Sequence, residues 1–281
     1  MILKKCASIE DLNAETEQYD AVEIQLLPAY DSVKPSDFNG KLVYSVHSLL
    51  DSSDGYDVDI ADMRDYNLGN IYKAFKFADA IGEQQGNKVG VVLHSELGYS
   101  ELIKYGLLQQ SALRLGLALT SFKNTFVLIE NGVTASTDGF DISKVVGGLL
   151  QELGNNYADR VFSVLDTTHA LMSSKMLTLD GSDTREAFED YFKGYSSSGY
   201  CREIHFANCI DWGRTPDTHG IDFRDVERDK QYFGRLCQLV HQYLPNANIC
   251  IEVRENNYIQ PKAYSHIYNM LRSWVPNEQV R

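Results

Sequence analysis

Short runs of β-branched and other apolar residues recur eight times along the chain, and this recurrence limits the fold more than any other feature. Nearly every run is followed by a longer stretch with helical periodicity, which is typical of βα units in a parallel sheet. Only the connection after the second run lacks a long helix. The predicted strands are Ile2–Cys6, Ala21–Leu27, Leu42–His47, Lys88–His94, Phe126–Glu130, Arg160–Asp166, Glu203–Phe206 and Ile249–Val253. The predicted helices lie near residues 9–19, 62–84, 99–118, 141–153, 184–195, 224–243 and 262–274.

This order of elements predicts a single (β/α)8 TIM barrel that spans residues 1–281. An open, doubly wound sheet is the alternative. However, neither G-x-G-x-x-G nor G-x-x-x-x-G-K-[ST] follows any predicted strand, and no Pro/Ser/Gly-rich linker divides the chain.

Composition narrows the range of partners. The chain has 26 basic and 39 acidic residues, a formal charge of −13, which works against non-specific binding to nucleic acid or to an anionic membrane. The five cysteines are odd in number, scattered and without a C-x-x-C pair, so a disulfide framework or a thiolate zinc site is not expected. The N-terminus lacks a hydrophobic region of signal-peptide length, and no run of about 18 apolar residues occurs. We therefore expect a cytoplasmic protein that does not associate with membranes.

Acidic and imidazole side chains stand at the ends of six predicted strands. They are His47, His94, Glu130, Asp166, His205 and Glu252, with His169 just beyond. Catalytic groups of a TIM barrel lie at the carboxyl ends of its strands, so these side chains are expected to converge. Alternation within Glu203–Phe206 places Glu203 and His205 on the inner face and the apolar residues under the helices.

Imidazoles and carboxylates that converge without thiolates are typical of a site for zinc, manganese or cobalt. Without a cation, six such groups aimed at one axis would repel one another or stay unsatisfied. The loop after the seventh strand adds Asp217 and His219, whose spacing lets both reach one ion from an extended segment. A turn capped by Asp217 before Gly220 is an equally good interpretation of that loop.

Several short motifs resemble those of one known group of proteins. They are V-H-S at 46–48, V-L-H at 92–94, L-I-E-N at 128–131, L-D-T-T-H-A at 165–170, E-I-H-F-A-N at 203–208, D-T-H-G at 217–220 and I-E-V at 251–253. Together and in this order they resemble the xylose-isomerase-like TIM-barrel superfamily, which includes the sugar phosphate isomerases and epimerases and the endonuclease IV family (AP endonuclease family 2).

The resemblance implies one to three divalent ions, zinc or manganese, in each chain. One ion would take His47, His94 and Glu130; a second would take Glu130, Asp166, His205 and Glu252; a third would take His169, Asp217 and His219. In the isomerase branch a single ion resembling the second is used, and two glutamates, here Glu130 and Glu252, flank the substrate. The resemblance also makes a homo-oligomer possible.

Two departures bear on the choice of reaction. Endonuclease IV relatives carry a histidine-serine motif on the first strand and basic loops that contact DNA, whereas this chain has Lys-Lys-Cys-Ala-Ser and no comparable basic cluster. The glycine-rich stretch that the isomerases carry after the seventh strand is shortened here to His-Gly-Ile-Asp.

The sequence therefore predicts a metal-dependent isomerase or epimerase for a small carbohydrate, with Glu130 and Glu252 as the proton-transfer groups. A multinuclear phosphoric ester hydrolase is the alternative, and a purely structural or sensing metal site is a third, weaker one. The candidate substrate-binding residues are Arg254, Arg214 and Trp212. The sequence is equally compatible with a structural role for the arginines, as salt bridges at a strand end or within a loop. Trp212 could likewise serve only to anchor its loop.

Overall fold

The structure is a computed structural model that describes residues 1–6, 19–26, 34–38, 40–48, 50–51, 56–133, 142–177, 184–208, 220–253 and 262–274. The statements below concern these residues. The predicted helix near residues 9–19 lies almost wholly outside them.

Eight parallel strands close into one barrel, as predicted. They are β1 (Ile2–Cys6), β2 (Ala21–Gln25), β3 (Val43–His47), β4 (Val89–Ser95), β5 (Thr125–Asn131), β6 (Val161–Asp166), β7 (Cys201–Phe206) and β8 (Asn248–Ile251). Each strand pairs with the next along the chain, and β8 closes the barrel against β1. A fully paired barrel of this kind leaves no exposed strand edge.

Eight α-helices are described around the barrel. They are α1 (Asp65–Gln85), α2 (Tyr99–Lys104), α3 (Leu107–Ser121), α4 (Ile142–Leu153), α5 (Thr167–Leu177), α6 (Thr184–Ser198), α7 (Glu227–Tyr243) and α8 (Lys262–Ser273). The helix predicted over 99–118 is two helices, because the chain turns at Gly106, whose φ of 67° ends the first helix. Helix α5 is absent from the predicted set. None of these helices has the length and apolar content needed to cross a membrane.

The main apolar core lies between the strands and the helices. Alternate strand residues such as Val91, Ile129 and Ile204 face it and are fully buried. Inside the barrel, toward the amino-terminal ends of the strands, lie two smaller apolar clusters. They include Leu3, Cys250, Val92 and Leu128. Gly90 is required there, since a Cβ at this position would come within 2.7 Å of the Leu128 side chain. Polar residues occupy the rest of the interior, toward the carboxyl ends of the strands.

Two irregularities in strand pairing lie beside polar interior residues. The register shifts between Val22 and Glu23 where β2 pairs with β3, and between Ser163 and Val164 where β6 pairs with β7 next to Glu203. Bulges of this kind change the direction of a side chain and are common near active sites. One shift lies at Glu23 and the other beside Glu203, and both glutamates are fully buried.

Candidate metal centre

Glu130 is the hub of the polar interior. Its Oε2 lies 3.1 Å from Nε2 of His47, at the end of β3, and 3.1 Å from Nε2 of His94, on β4. Its Oε1 lies 3.2 Å from Nδ1 of His205, on β7. All four side chains are almost completely buried. The strand ends thus converge on one carboxylate, as the alternation of the strands predicts.

The carboxyl end of β8 completes this group. Glu252 follows β8 directly, and its Oε2 lies 3.0 Å from Nδ1 of His205. Asp166, the last residue of β6, offers an oxygen to the same group, which comprises Glu130, Asp166, His205 and Glu252. The donor atoms of these four residues lie within 4.8 Å of one another. His47, Glu130 and His205 form a second such group that shares two members with the first.

Asp166 and His169 are separated by the start of a helix. Helix α5 begins at Thr167, and Oδ1 of Asp166 accepts the backbone N–H of His169 at 2.7 Å, which caps the first turn. Nδ1 of His169 lies 2.8 Å from the carbonyl oxygen of Asn131. A carbonyl can only accept, so Nδ1 carries the proton and the neutral ring has its lone pair on Nε2. Among the metal groups of the described residues, His169 is in none.

Lys5 is a residue of the site that the sequence reasoning missed. Its ammonium donates to Oε1 of Glu252 at 2.6 Å and lies 3.5 Å from Oε1 of Glu23. The signal was available, because Leu3 and Lys5 share the inward face of β1. Asn131 was missed as well: it binds both backbone groups of Asp166 through its side-chain amide. Glu203 lies on the inner face, as the alternation of its strand predicts, and faces His205.

Charge and burial oppose each other in this interior. Burial alone would raise the pKa of Glu130, but the charges of His205 and His94 outweigh it and hold that pKa well below its usual range. Burial would lower the pKa of Lys5, yet Glu252 and Glu23 raise it well above the usual value. The pKa of His205 is likewise raised against burial, by Glu130 and Glu23. The ionised forms of Glu130, Lys5 and His205 are therefore favoured.

These donors fit a divalent cation. Nδ1 of His47 lies 3.2 Å from the carbonyl of Ser48, so a neutral ring would aim the lone pair of Nε2 at the Glu130 carboxylate. Nδ1 of His205 faces two carboxylates and has no hydrogen-bond partner among the described residues. Lone pairs that face one another in a buried site call for a proton or a metal ion between them. Mixed imidazole and carboxylate donors suit zinc or manganese.

Five of the predicted site residues lie outside the described residues. They are Asp217 and His219, which the resemblance assigns to a third ion, and the candidate substrate-binding residues Arg214, Trp212 and Arg254. Their roles stay predictions. The other seven predicted ligands all lie at the carboxyl end of the barrel, and six of them belong to the contacts around Glu130 and His205 described above.

Comparisons with known proteins identify the fold. No family model and no curated protein sequence matches the chain. Among solved structures it is similar to a D-tagatose 3-epimerase-like protein, with a TM-score of 0.59, 13% identity and coverage of 96% of this chain and 97% of that one. It is similar to the IolI protein, whose structure has a zinc atom. The TM-score is 0.55, the identity is 11%, and the match covers 96% of this chain and 95% of that one. It is also similar to the D-allulose 3-epimerase from Methylomonas sp. in complex with D-allulose. Here the TM-score is 0.52, the identity is 13%, and the match covers 91% of this chain and 84% of that one. The chain therefore has the fold of the xylose-isomerase-like TIM barrels.

Proposed function

We propose that the protein is a divalent-metal-dependent isomerase or epimerase of a sugar or sugar phosphate, in which Glu130 and Glu252 transfer the proton. The observation that carries this proposal is the placement of the two carboxylates. Oε1 of Glu130 and Oε2 of Glu252 lie 3.2 and 3.0 Å from the same nitrogen, Nδ1 of His205, although they belong to strands that are not neighbours. Two carboxylates on either side of one polar centre are what a proton-transfer reaction needs.

The metal would be held by Glu130, Asp166, His205 and Glu252. When bound, it would act as a Lewis acid that polarises the carbonyl and hydroxyl oxygens of the substrate. The neighbouring His47 and His94 rings hold the second oxygen of Glu130. This contact orients the carboxylate.

The two glutamates differ in accessibility, and this difference divides their roles. The Glu252 side chain is 17% exposed, whereas that of Glu130 is 2% exposed. Glu252 is therefore placed to remove the proton from the carbon next to the substrate carbonyl. Glu130 must take up a proton before it can give one, through the His47 and His94 rings that lie 3.1 Å from its Oε2. It would then deliver that proton to the opposite face of the same carbon in an epimerase or to the neighbouring carbon in an isomerase, while Glu252 passes the proton that it removed to solvent. Lys5 donates to Oε1 of Glu252, and Oε2 of Glu252 faces His205.

Small carbohydrates are the substrates to test first. The net charge of −13 disfavours a polyanionic nucleic-acid substrate. D-tagatose and D-allulose are the first sugars to test, because they appear in the names of two proteins with this fold. The scattered cysteines without a C-x-x-C pair support a reducing compartment such as the cytoplasm for this activity.

Phosphoric ester hydrolysis is the second candidate, and one observation favours it. The group of His47, Glu130 and His205 could hold an ion beside the first. Two neighbouring ions about 3.5–4 Å apart typically activate water and clamp both oxygens of an in-line displacement.

The test combines metal analysis with isotope exchange on the purified protein. Wild type, Glu252→Gln and the surface control Glu152→Gln are assayed in D2O with ketohexoses, their phosphates and a p-nitrophenyl phosphodiester. We expect wild type and Glu152→Gln to exchange one deuterium into the carbon next to the carbonyl. Glu252→Gln should lose at least about 100-fold in rate while keeping its circular dichroism spectrum, as removal of a general base does.

Two results would refute the isomerase proposal. One is full exchange activity in Glu252→Gln, which would remove this residue as the base. The other is phosphodiester cleavage without carbon-bound deuterium in a protein that holds two or three zinc ions, which would establish the hydrolase instead.

A further inference from the structure

Four buried side chains form a second donor group on the amino-terminal side of the candidate metal centre. They are Glu23 on β2, Glu203 and His205 on β7, and Cys250 on β8, and we call them the lower cluster. One donor atom from each lies within 4.8 Å of the others. Glu23, Glu203 and Cys250 are 0% exposed and His205 is 1% exposed.

The spacing in the lower cluster is that of ligands around an ion. Nε2 of His205 lies 3.4 Å from Oε2 of Glu23 and 3.3 Å from Oε1 of Glu203. Charge-assisted hydrogen bonds of this type are usually about 2.7–2.9 Å long. Bonds of about 2.0–2.1 Å to a tetrahedral zinc ion, in contrast, separate neighbouring ligands by roughly 3.3 Å.

Besides Nδ1 of His205, three atoms of the lower cluster have no hydrogen-bond partner among the described residues. They are Nε2 of His205, Oε2 of Glu203 and Oε1 of Glu23. The Ser45 hydroxyl lies 3.0 Å from Glu23 and 3.4 Å from Glu203, but its single proton can satisfy only one of them. Lys5 reaches the other oxygen of Glu23, at 3.5 Å. Two buried carboxylates in this arrangement require a shared proton, a protonated His205 ring or a metal ion.

We propose that the lower cluster is a metal site that binds zinc through Glu23, Glu203, Cys250 and Nε2 of His205. Its single thiolate and its imidazole favour zinc over magnesium, calcium or manganese. Binding releases the thiol proton of Cys250 and the ring proton of His205, because both ligand atoms must be deprotonated. The ring of His205 then lies between this ion and one held at its Nδ1. The ion in the lower cluster fixes that ring and takes no part in the reaction.

Cobalt provides a spectroscopic test, since a thiolate bound to Co2+ gives a charge-transfer absorption in the near ultraviolet that nitrogen and oxygen ligands do not. Metal-free protein is titrated with Co2+, and the absorption is recorded with the cobalt content. We expect wild type to show the thiolate absorption and to bind two equivalents of cobalt, one in the lower cluster and one in the centre around Glu130. Cys237→Ser, which removes a buried thiol from helix α7, should keep it. Cys250→Ser should lose it.

A second variant separates this proposal from the proposed function. Asp166→Asn removes a ligand from the centre around Glu130 and none from the lower cluster. This variant should therefore bind less cobalt and lose isomerase activity, but it should keep the thiolate absorption. Absence of the absorption in wild type would overturn the proposal and assign a shared proton to Glu23 and Glu203. Its persistence in Cys250→Ser would also overturn it. The wild-type spectrum decides the first point even if a variant fails to fold.

Discussion

Asp166 stands at the junction of a strand and a helix and serves both. One of its oxygens caps helix α5 through the backbone N–H of His169, and the carboxylate also belongs to the group with Glu130, His205 and Glu252. Asparagine can cap a helix about as well as aspartate, but its amide is a poor ligand for zinc. Substitution can therefore separate the two roles.

We predict that Asp166→Asn and Asp166→Ala both lose metal, whereas only Asp166→Ala loses stability in the metal-free protein. The alanine variant should unfold at a free energy lower by about 1 kcal/mol, the usual cost of a lost cap. Both variants should bind zinc at least about 100-fold more weakly at the centre around Glu130. Mutation of residues that only hydrogen-bond to metal ligands already lowers metal affinity 10–100-fold, and Asp166 is proposed as a ligand itself. Urea unfolding and a competitive zinc titration measure the two effects. Equal stability of the two metal-free variants would exclude the capping role.

Lys5 is the cation closest to Glu252 among the described residues, and it is 10% exposed. Removal of one partner from a buried ion pair leaves an uncompensated charge. We predict that Lys5→Met destabilises the metal-free protein by about 3 kcal/mol, near the lower limit for such pairs because Glu252 keeps some contact with solvent. Bound metal should reduce this loss, because the ion supplies positive charge to Glu252.

The control for Lys5 is Lys88, whose ion pair with Asp159 lies on the surface at 3.2 Å. Lys88→Met should change the free energy of unfolding by less than about 1 kcal/mol, as exposed pairs do. Unfolding of both variants with and without zinc provides the measurement. An identical loss for Lys5→Met in the two states would show that the ion does not share Glu252 with the lysine.

Among the elements, helix α1 shows how closely the outer layer packs on the barrel. A Cβ at Gly82 would lie 2.6 Å from the carbonyl oxygen of Asn124 and 2.9 Å from that of Asn87. Both contacts are with backbone, which cannot move without shifting the loops before β4 and β5. Gly69, in the same helix, has no atom within 4 Å of the equivalent position. Replacement of these two glycines by alanine should therefore change the stability of the protein in opposite directions.

We predict that Gly82→Ala destabilises the protein by about 1–2 kcal/mol, because the overpacking of roughly 1–3 kcal/mol exceeds the gain in helix propensity. Gly69→Ala should stabilise it by about 0.5–1 kcal/mol, since only the propensity changes. Thermal and urea unfolding of both variants give the comparison. A stabilising Gly82→Ala would mean that α1 lies farther from Asn124 than the structure shows.

At the scale of the whole molecule, the barrel combines an apolar outer core with an interior that gathers buried acids at one end. Glu23, Glu130 and Glu203 are each at most 1% exposed. Such a concentration of buried charge is costly unless cations accompany it. The stability of the whole barrel should therefore depend on bound metal.

We predict that removal of metal by a chelator lowers the melting temperature by roughly 5–10 °C. Free ligand at 100 times its dissociation constant stabilises a folded protein by about 2.7 kcal/mol, and each kcal/mol corresponds to roughly 2–4 °C in a chain of this size. Differential scanning calorimetry with zinc, after chelation and after zinc is restored measures the shift. Glu130→Gln should show a smaller shift. A melting temperature that is indifferent to chelation would contradict a metal centre in the resting protein.

The sequence by itself determined the barrel and the convergence of histidines and acids at its carboxyl end. Alternating apolar runs identify strands because one face must be covered by helices, and the same alternation indicates that Ser45, His47 and His205 point inward. Strand ends share one rim in a parallel barrel, so their histidines and acids had to converge. Short-range signals were enough for these conclusions.

Only the tertiary structure decided how those side chains are paired. The contacts of Lys5 with Glu252, of Glu23 with His205 and of Glu203 with His205 join strands that are distant in the sequence, and the closure of β8 against β1 creates the first of them. Cys250 shows the same limit, because isolated cysteines predict no thiolate site, and its nearness to two glutamates follows from the register of β8 beside β7. Strand register and the pairing of side chains across strands depend on packing throughout the barrel, and no local pattern specifies them.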